Sequence, residues 1–482
     1  MKEYPFCIVL DIGTTNIKCC IVSFEGSVIS QAITLTPHKK EKYQELNPEE
    51  IWIACLRVIK KSVSLCLYPK EIKAMIVIGM AATYLPLSNT GDPLSSFILW
   101  NDNRASKETS SLSRKLFLDA RLKASIGQYP IPMYLPFKIR WMQKNSPSII
   151  SHTRWWVNIT DYINMRLTKR KTPVTDYSIA SRTMLLNHRN LKWNHGLLQF
   201  FGIDDKILPD LLSSGSDIGL LDDVLADEIG LNRSVRIILG THDHICTALG
   251  SGTTIPGIVL NSVGTSEAIL TPLLNHHKHQ GIIENNLNLE EFLSPDSKAL
   301  VGYVAPTGSI LAPWLKSGIA KQVRFDELQN DFIYFKPPSR YMKIDSPGIL
   351  HLSGANFSPQ QIFKAIIFGL GFEMCSIVEK MASIVKCSPG KIIIAGGLAQ
   401  YKYINQIKAD LLNVEIENAS EIRLEALGGY ILCGYGLGLF KDMSKTSLDI
   451  YSNIHKEIYI PDTKRHNLYE DMYHKYLQNN SQ

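Results

Sequence analysis

Two segments of the sequence, about 250 positions apart, place glycine and hydroxyl residues directly after an apolar run. The residues at the two tips are Gly13, Thr14, Thr15 and Gly264, Thr265, Ser266. In a tight turn, bare backbone N–H groups and side-chain hydroxyls donate hydrogen bonds to phosphate oxygens. The repetition predicts two related halves that hold one polyphosphate, and an ordinary polar hairpin tip is the alternative at each place.

Charged residues flank the first of these tips. Asp11 ends the preceding apolar run, where its carboxylate can hold Mg²⁺ directly or through water, and Lys18 adds a positive charge. The sequence contains no GxxxxGK[ST] pattern, so this is not a Walker loop.

A second candidate centre is the run Gly240-Thr241-His242-Asp243-His244, between an apolar segment and a run of small residues. A carboxylate at a strand end and a helix N-terminus stays ionised and can accept a proton. The alternative is that Asp243 only caps the helix. The two histidines raise the question of a metal, but partners at the spacing of a zinc site are missing elsewhere, which disfavours zinc.

Two further motifs suit a nucleoside and a sugar. Gly396 and Gly397 follow an apolar run, and paired glycines at a strand end let a flat ligand such as a nucleobase approach the backbone. Trp100 can stack on a sugar while its polar neighbours, among them Asp102 and Arg104, bind the hydroxyls. A plain strand-to-helix turn and a half-buried tryptophan beside a surface ion pair are the alternatives.

The elements around these motifs predict an α/β architecture. Strands are expected at 6–11, 18–24, 27–34, 74–80, 234–239 and 391–395, with Gly240 ending the fifth. Helices are expected after the caps Asn47 and Ser358, the second reaching about residue 386, and over 401–412 and 425–439. Three antiparallel strands, a helix and a buried strand differ from the βαβ start of a dinucleotide fold.

Composition fits a globular enzyme. The 482 residues are 45% apolar and 20% charged, and a chain of this length predicts two domains. A net charge of +6 with only short basic clusters disfavours a nucleic-acid partner. We find no secretory leader and no stretch near the ~20 apolar residues of a membrane span. Nine scattered cysteines predict free thiols, so we expect a cytoplasmic protein with no membrane partner.

With these motifs in this order, the chain resembles the FGGY family of carbohydrate kinases over roughly residues 6–440. The order and spacing of the matching segments carry the resemblance, since no single motif is decisive. These segments are 11–18 (first phosphate motif), 100–104 (WxDxR sugar segment), 161–168 with 176–182, 240–252 (catalytic aspartate), 264–266 (second phosphate motif), 396–397 with 409–410 (adenosine) and 425–429 (terminal signature).

The resemblance implies an α/β fold of two actin-like (ribonuclease H-like) ATPase domains with a cleft between them. The expected domains are 1–250, on the sugar and phosphate side, and 251–440, on the nucleotide side, followed by a polar C-terminal extension at 441–482. The partners implied are ATP and a small sugar, and the oligomeric state stays open, with a homodimer among the alternatives.

The resemblance also implies transfer of the γ-phosphoryl group of ATP to a sugar hydroxyl, assisted by Mg²⁺. Asp243 becomes the general base, and Asp11 and Asp243 the metal ligands. The implied nucleotide-binding residues are Asp11, Gly13, Thr14, Thr15, Lys18, Gly264, Thr265, Gly308, Gly396, Gly397 and Tyr401. The implied sugar-binding residues are Trp100, Asp102, Arg104, Thr83, Tyr134 and His242.

Departures from the family pattern bear on the sugar. Where xylulose kinases carry Gln-Met-His and glycerol kinases Arg-Glu, this chain has Met80-Ala81-Ala82-Thr83-Tyr84. The runs 241–244 and 180–183 look more like the fuculose-kinase-like branch, which slightly favours a ketose, with gluconate and xylulose as alternatives. A non-metabolic actin-fold ATPase and a silent sugar-binding regulator are the rivals from other classes, whereas the absence of GxGxxG after the first strand disfavours a dinucleotide oxidoreductase.

Overall fold

The computed structural model describes residues 6–23, 25–38, 43–274, 281–294, 296–319, 323, 333–337, 348–352, 357–419 and 422–480. The chain forms two compact units, each built from separate segments. Unit 1 comprises Met1–Gly252, Leu289–Lys298 and Leu424–Ser452, and unit 2 comprises Thr253–Asn288, Ala299–Arg423 and Asn453–Gln482. The domain limits expected at 250 and 440 stay predictions, and residues 441–482 contribute regular elements to both units.

The described strands, in chain order, are β1 (Phe6–Ile12), β2 (Asn16–Val22), β3 (Val28–Leu35), β4 (Glu45–Leu46), β5 (Ile72–Gly79), β6 (Tyr84–Leu87), β7 (Phe97–Ile98), β8 (Trp155–Asn158), β9 (Val174–Asp176), β10 (Leu186–Asn187), β11 (Lys192–Trp193), β12 (Asp210–Leu212), β13 (Asp217–Leu220), β14 (Arg236–His242), β15 (Ile258–Val263), β16 (Glu267–Leu274), β17 (Asn288–Glu291), β18 (Ser297–Tyr303), β19 (Ile333–Lys336), β20 (Ile349–Leu352), β21 (Lys391–Ala395), β22 (Ile416–Asn418) and β23 (Glu457–Tyr459).

The described α-helices are α1 (Pro48–Ser64), α2 (Ser106–Leu118), α3 (Ala120–Lys123), α4 (Leu135–Asn145), α5 (Pro147–His152), α6 (Ile159–Thr168), α7 (Tyr177–Ser181), α8 (His195–Phe201), α9 (Asp223–Ile229), α10 (Asp243–Gly250), α11 (Thr307–Lys316), α12 (Pro359–Val385), α13 (Lys402–Leu412), α14 (Leu424–Gly436), α15 (Met443–Ser452) and α16 (Thr463–Asn480).

Unit 1 is built on a six-stranded sheet with the order β13-β14-β5-β1-β2-β3. Strands β1, β2 and β3 are antiparallel, and β5 is parallel to both β1 and β14. The central strands are apolar on both faces because helices cover them, as parallel strands require. Helix α1 begins where predicted, since the Asn47 side chain accepts hydrogen bonds from the N–H groups of Glu49 and Glu50.

A seven-stranded sheet repeats this plan, with the strand order β17-β18-β16-β15-β21-β22-β23, and most of its strands belong to unit 2. The hairpin β15–β16 is antiparallel, and β21 is parallel to β15 on its other side. The arrangement is that of β1, β2 and β5 in unit 1, so the expectation of two related halves, drawn from the two hairpin tips, is confirmed.

Helix α12 is the longest described helix and begins with a capping box in which Ser358 and Gln361 exchange hydrogen bonds. By length and composition alone it could cross a membrane, so the expectation that no segment reaches this threshold was wrong. Since 72% of its most apolar window is buried in the protein, we read it as a core helix. Helix α16 packs on it through Tyr469, whose ring centroid lies 4.8 Å from that of Phe368.

Candidate active site

Asp243 lies at the junction of β14 and α10. Strand β14 runs through His242, three residues beyond the predicted end, so the prediction that Gly240 stops the strand was wrong. Gly240 instead permits a close approach, because a Cβ there would lie 1.8 Å from the Val77 carbonyl oxygen of β5. The strand therefore delivers His242 buried and Asp243 at the first position of α10.

Two histidines surround the Asp243 carboxylate. Its Oδ1 accepts a hydrogen bond from the His244 backbone N–H at 2.7 Å and lies 3.1 Å from His242 Nε2. Burial opposes ionisation, but the interactions with His244 and His242 outweigh it and hold the pKa of Asp243 well below its usual value. Because the side chain is still 29% exposed, an ionised carboxylate is open to a ligand.

The two imidazoles differ in charge. Burial alone would lower the pKa of His242, but the Asp243 and Glu290 carboxylates outweigh it and raise that pKa to about 9. At His244 burial dominates and lowers the pKa to about 4. His242 is therefore charged and His244 neutral at pH 7. Together with Asp243 they offer three potential metal-ligand atoms within 4.8 Å of one another.

Asp11 has one carboxylate oxygen engaged and one not. Oδ2 accepts from Lys18 Nζ at 3.1 Å, and the same ammonium contacts Glu425 Oε1 at 3.1 Å. Oδ1 is buried and finds no hydrogen-bond partner in the described part of the chain. Burial raises the pKa of Asp11 to about 7, Lys18 opposes this, and the Glu425 and Asp243 charges add to it. A free carboxylate oxygen near a second carboxylate is a donor set that suits Mg²⁺.

The tip of the β1–β2 hairpin is held by its neighbours. Gly13 N donates to Asn16 O at 3.0 Å, Thr36 Oγ1 donates to Gly13 O at 2.7 Å, and Thr15 is exposed. Trp100 Nε1 donates to Thr14 Oγ1 at 2.8 Å. Trp100, which is predicted to bind the sugar, is thus hydrogen-bonded to Thr14, which is predicted to bind phosphate.

Asp102 and Arg104 form a buried pair. Arg104 Nε donates to Asp102 Oδ1 at 2.7 Å and Nη2 to Oδ2 at 3.0 Å, and Gln44 N also donates to Oδ2. The guanidinium stacks 4.3 Å from the Tyr43 ring centroid. Since these groups already bind one another, the pair fixes the loop after Trp100, and direct sugar binding by either residue stays a prediction.

The remaining predicted sugar residues are buried. Thr83 and Tyr134 have almost no exposed surface, and the Tyr134 ring lies under the Arg182 guanidinium. Their contact with a sugar stays a prediction. Both ring nitrogens of His242 face carboxylates, so a sugar hydroxyl would have to displace Asp243 or Glu290 to reach them.

Sequence reasoning missed Lys138, which lies on α4 with no exposed surface. Its Nζ donates to the carbonyl oxygens of Leu99 at 2.7 Å, Ala82 at 2.8 Å and Ile98 at 3.2 Å. Ala82 has φ +55°, an uncommon conformation for a residue other than glycine. Lys138 therefore ties together the loop that precedes Thr83 and the strand that precedes Trp100.

Unit 2 assembles its own hairpin tip. A Cβ on Gly308, in the first turn of α11, would lie 2.2 Å from the Gly264 carbonyl oxygen, and one on Gly396 (φ +99°) would lie 2.6 Å from that of Val263. Only glycine allows both approaches. Thr265 and Gly397 are exposed, and Tyr401 precedes α13. The structure therefore brings Gly264, Thr265, Gly308 and Gly396 together within this unit.

A buried ion pair between Lys408 and Glu267 lies next to the tip of the β15–β16 hairpin. Glu267, the first residue of β16, accepts from Lys408 Nζ at 2.6 Å and from Thr307 Oγ1 at 2.9 Å. Lys408 also donates to Asn261 Oδ1 at 2.7 Å. Neither Lys408 nor Glu267 was predicted, because they lie 141 positions apart.

The chain matches the N-terminal domain model of the FGGY family of carbohydrate kinases over residues 6–250 and the C-terminal domain model over 338–437. A xylulose kinase from Staphylococcus epidermidis is 27% identical over 97% of this chain and 95% of its own length. A gluconate kinase structure from Lactobacillus acidophilus aligns with a TM-score of 0.87 at 21% identity, covering 98% of this chain and 97% of its own.

A Plasmodium falciparum glycerol kinase structure with ADP aligns with a TM-score of 0.86 at 18% identity, over 99% of this chain and 98% of its own. These structures share the two-domain α/β fold of actin-like ATPases, with a mixed sheet in each half, which confirms the expected fold class. Since the first domain model alone spans more than half of the 482 residues, the chain belongs to the FGGY family of carbohydrate kinases.

Proposed function

We propose that this sugar kinase transfers the γ-phosphoryl group of ATP to a hydroxyl of a small ketose, with Asp243 as the general base. The observation that carries the proposal is the ionised, partly exposed carboxylate of Asp243 at the start of α10. Among the described residues, the hydrogen bonds to this carboxylate go to Oδ1, so we expect Oδ2 to accept the proton. The alcohol oxygen then forms a bond to the γ-phosphorus as the bond from that phosphorus to the β-phosphate oxygen breaks and ADP leaves.

ATP fits this assignment, since FGGY kinases use ATP and one related structure holds ADP. In unit 2, the exposed Thr265 and the close-packed glycines around Gly264 offer backbone N–H and hydroxyl donors to phosphates. In unit 1, Thr14, Thr15 and Lys18 offer the same donors and a positive charge.

Mg²⁺ would be held in unit 1 by Asp11 Oδ1, the buried oxygen that has no partner among the described residues, with Asp243 as the second carboxylate. When bound, the ion neutralises charge on the transferring phosphoryl group. The chain's own part is to keep Asp243 ionised, which the two histidines do, while Lys18 limits the rise in the pKa of Asp11 that burial causes.

The substrate assignment rests on the run Thr241-His242-Asp243-His244 and its resemblance to the fuculose-kinase-like branch. Relatives named xylulose, gluconate and glycerol kinases are all 27% identical or less, so they leave the sugar open. Gluconate and xylulose are therefore the alternatives to a fuculose-like ketose.

An ADP-release assay with ketoses, polyols and aldonic acids tests the substrate. We expect the highest kcat/KM with a ketose, and a preference for an aldonic acid or a polyol would refute the ketose assignment.

Asp243→Asn tests the base. Its kcat should fall about 10³-fold, within the ~10²–10⁴-fold range of a general base, with the KM for ATP within threefold of wild type. Asp227→Asn, at an exposed ion pair on α9, is the control. Equal kcat values for the two variants would refute the assignment of Asp243.

A further inference from the structure

A chain of four charged side chains runs from the interior of unit 1 to the candidate base. Arg182 Nη1 contacts Glu290 Oε1 at 2.9 Å, Glu290 Oε2 contacts His242 Nδ1 at 3.1 Å, and His242 Nε2 contacts Asp243 Oδ1 at 3.1 Å. Arg182 is 2% exposed and Glu290 0%, while Asp243 at the other end is 29% exposed. Only the last group of the chain is therefore well placed to meet a ligand.

We propose that Glu290 and Arg182 are positioning residues for phosphoryl transfer, which hold the His242 imidazole so that its Nε2 orients the Asp243 carboxylate. The proposal rests on the proposed function in one respect, namely that Asp243 is the base. It assigns His242 to the base rather than to the sugar.

The position of Glu290 is set independently of His242. Its neighbour Leu289 donates its N–H to Gly127 O at 2.7 Å and accepts from Gln128 Nε2 at 2.7 Å. Its other neighbour, Glu291, contacts Lys298 Nζ at 2.8 Å and His188 Nδ1 at 2.8 Å. Since the backbone hydrogen bonds of Leu289 anchor this segment whatever residue stands at 291, the Glu290 carboxylate is a fixed point against which the imidazole aligns.

The backbone of His242 is anchored separately. Its N–H donates to Ser178 Oγ at 2.9 Å, and Ser178 Oγ lies 2.6 Å from Thr241 Oγ1. These bonds fix the end of β14, but they do not determine the rotation of the imidazole ring. The His244 ring packs against the His242 ring at a centroid distance of 4.8 Å, and the Glu290 carboxylate contacts ring atom Nδ1 while Asp243 contacts Nε2.

A stability role explains this arrangement poorly. Removing a carboxylate and a guanidinium from water is costly, and buried ion pairs are often no more stabilising than apolar residues of the same volume. Glu291 and Lys298 already provide such a pair in the same segment. Orientation of the base is a function that an apolar pair cannot supply, and misplacing a reacting group by about 1 Å costs on the order of 10²-fold in rate.

Glu290→Gln and Glu290→Leu test the proposal. Arg182 and His242 contact different oxygens of Glu290, and the amide replaces one of these acceptors with an NH2 donor, so glutamine loses one contact whereas leucine removes both. We expect kcat to fall about tenfold for Glu290→Gln and about 10²-fold for Glu290→Leu, with the KM values for ATP and sugar within threefold of wild type.

The matched control is Glu291→Gln, which alters an equally buried carboxylate in the same strand but leaves His242 alone. We expect it to lower the thermal midpoint and to leave kcat within threefold of wild type. In an Asp243→Asn background, Glu290→Gln should cause no further loss, because positioning acts only through the base.

The outcomes separate this proposal from the proposed function. If Asp243→Asn loses activity while Glu290→Gln keeps the kcat of Glu291→Gln, the positioning role is refuted and the base stands. If Asp243→Asn remains active, the base assignment fails first. Should Glu290→Leu not fold, the isosteric Glu290→Gln decides alone.

Discussion

Replacing Lys138 with methionine removes an ammonium group from the interior of unit 1 and keeps the length of the side chain. The group donates to three backbone carbonyl oxygens, those of Leu99, Ala82 and Ile98, at 2.7, 2.8 and 3.2 Å. These match the three N–H donors of the ammonium. Methionine has no donor, so all three carbonyls lose a partner at once in a place that water does not reach.

The cost follows from these contacts. A buried acceptor that loses its only donor costs about 1–3 kcal/mol; because Leu99 O keeps the Asp102 N–H at 3.2 Å, the other two carbonyls give about 2–6 kcal/mol. Part of this is offset because the variant no longer buries a charge; burial, with the Arg104 charge adding to it and Asp102 opposing it, holds the pKa of Lys138 well below its usual value. We therefore expect the free energy of unfolding of unit 1 to fall by about 3 kcal/mol, which is near the lower end of this range.

Intrinsic fluorescence during heating reports this change. All tryptophans except Trp314 lie in the segments of unit 1, so the emission follows that unit. For a unit of this size, about 3 kcal/mol corresponds to a fall in the thermal midpoint of about 5 °C. The control is Lys144→Met, which makes the same exchange at an exposed position of α4. If the two variants melt within about 2 °C of each other, the carbonyl contacts do not carry the stability assigned to Lys138.

Three further predictions concern the ligands and α16. Gly308→Ala should raise the KM for ATP at least tenfold and leave the KM for sugar unchanged, because its Cβ would lie 2.2 Å from Gly264 O; Gly390→Ala, whose Cβ would lie 3.7 Å from Gly257 O, is the control. Trp100→Ala should raise the KM for sugar about tenfold more than that for ATP, since it removes the predicted stacking surface beside Thr14. A chain ending at residue 462 should melt earlier and bind more of a hydrophobic dye, because it lacks α16 and uncovers α12.

Each of these has a contrary result. An unchanged KM for ATP in Gly308→Ala would show that the α11 turn does not shape a nucleotide site. Equal changes in both KM values for Trp100→Ala would remove the indole from the sugar site. A shortened chain with the midpoint and dye binding of the full chain would show that α16 does not stabilise unit 2.

Features encoded by neighbouring residues were predictable from the sequence. The hairpin tips at Gly13 and Gly264 combine apolar strands with turn residues, and the caps Asn47 and Ser358 stand directly before a helical pattern. Helix α16 also had a readable signal, since its buried tyrosines recur at the spacing of one helix face, but the charged residues between them led us to expect an extension.

Features that depend on distant contacts were not predictable in this way. Gly240 looks like a strand terminator, and only the neighbouring strand β5 shows that it permits a close approach. Glu290 meets His242 from 48 positions away, and Lys138 meets Ala82 from 56. A buried charge leaves no local trace, because charged residues are mostly exposed and nothing in the adjacent sequence marks the exceptions.

The contact between α10 and α14 has a consequence for synthesis on the ribosome. A Cβ on Gly250 would lie 1.8 Å from Leu424 O, and one on Gly428 would lie 1.9 Å from Cys246 O, so the two helices meet backbone to backbone. The second of them emerges about 170 residues after the first. Until then the helix that begins with Asp243 lacks its cover and Lys18 lacks Glu425, so the nascent chain must keep its first unit unfinished while most of the second is being translated.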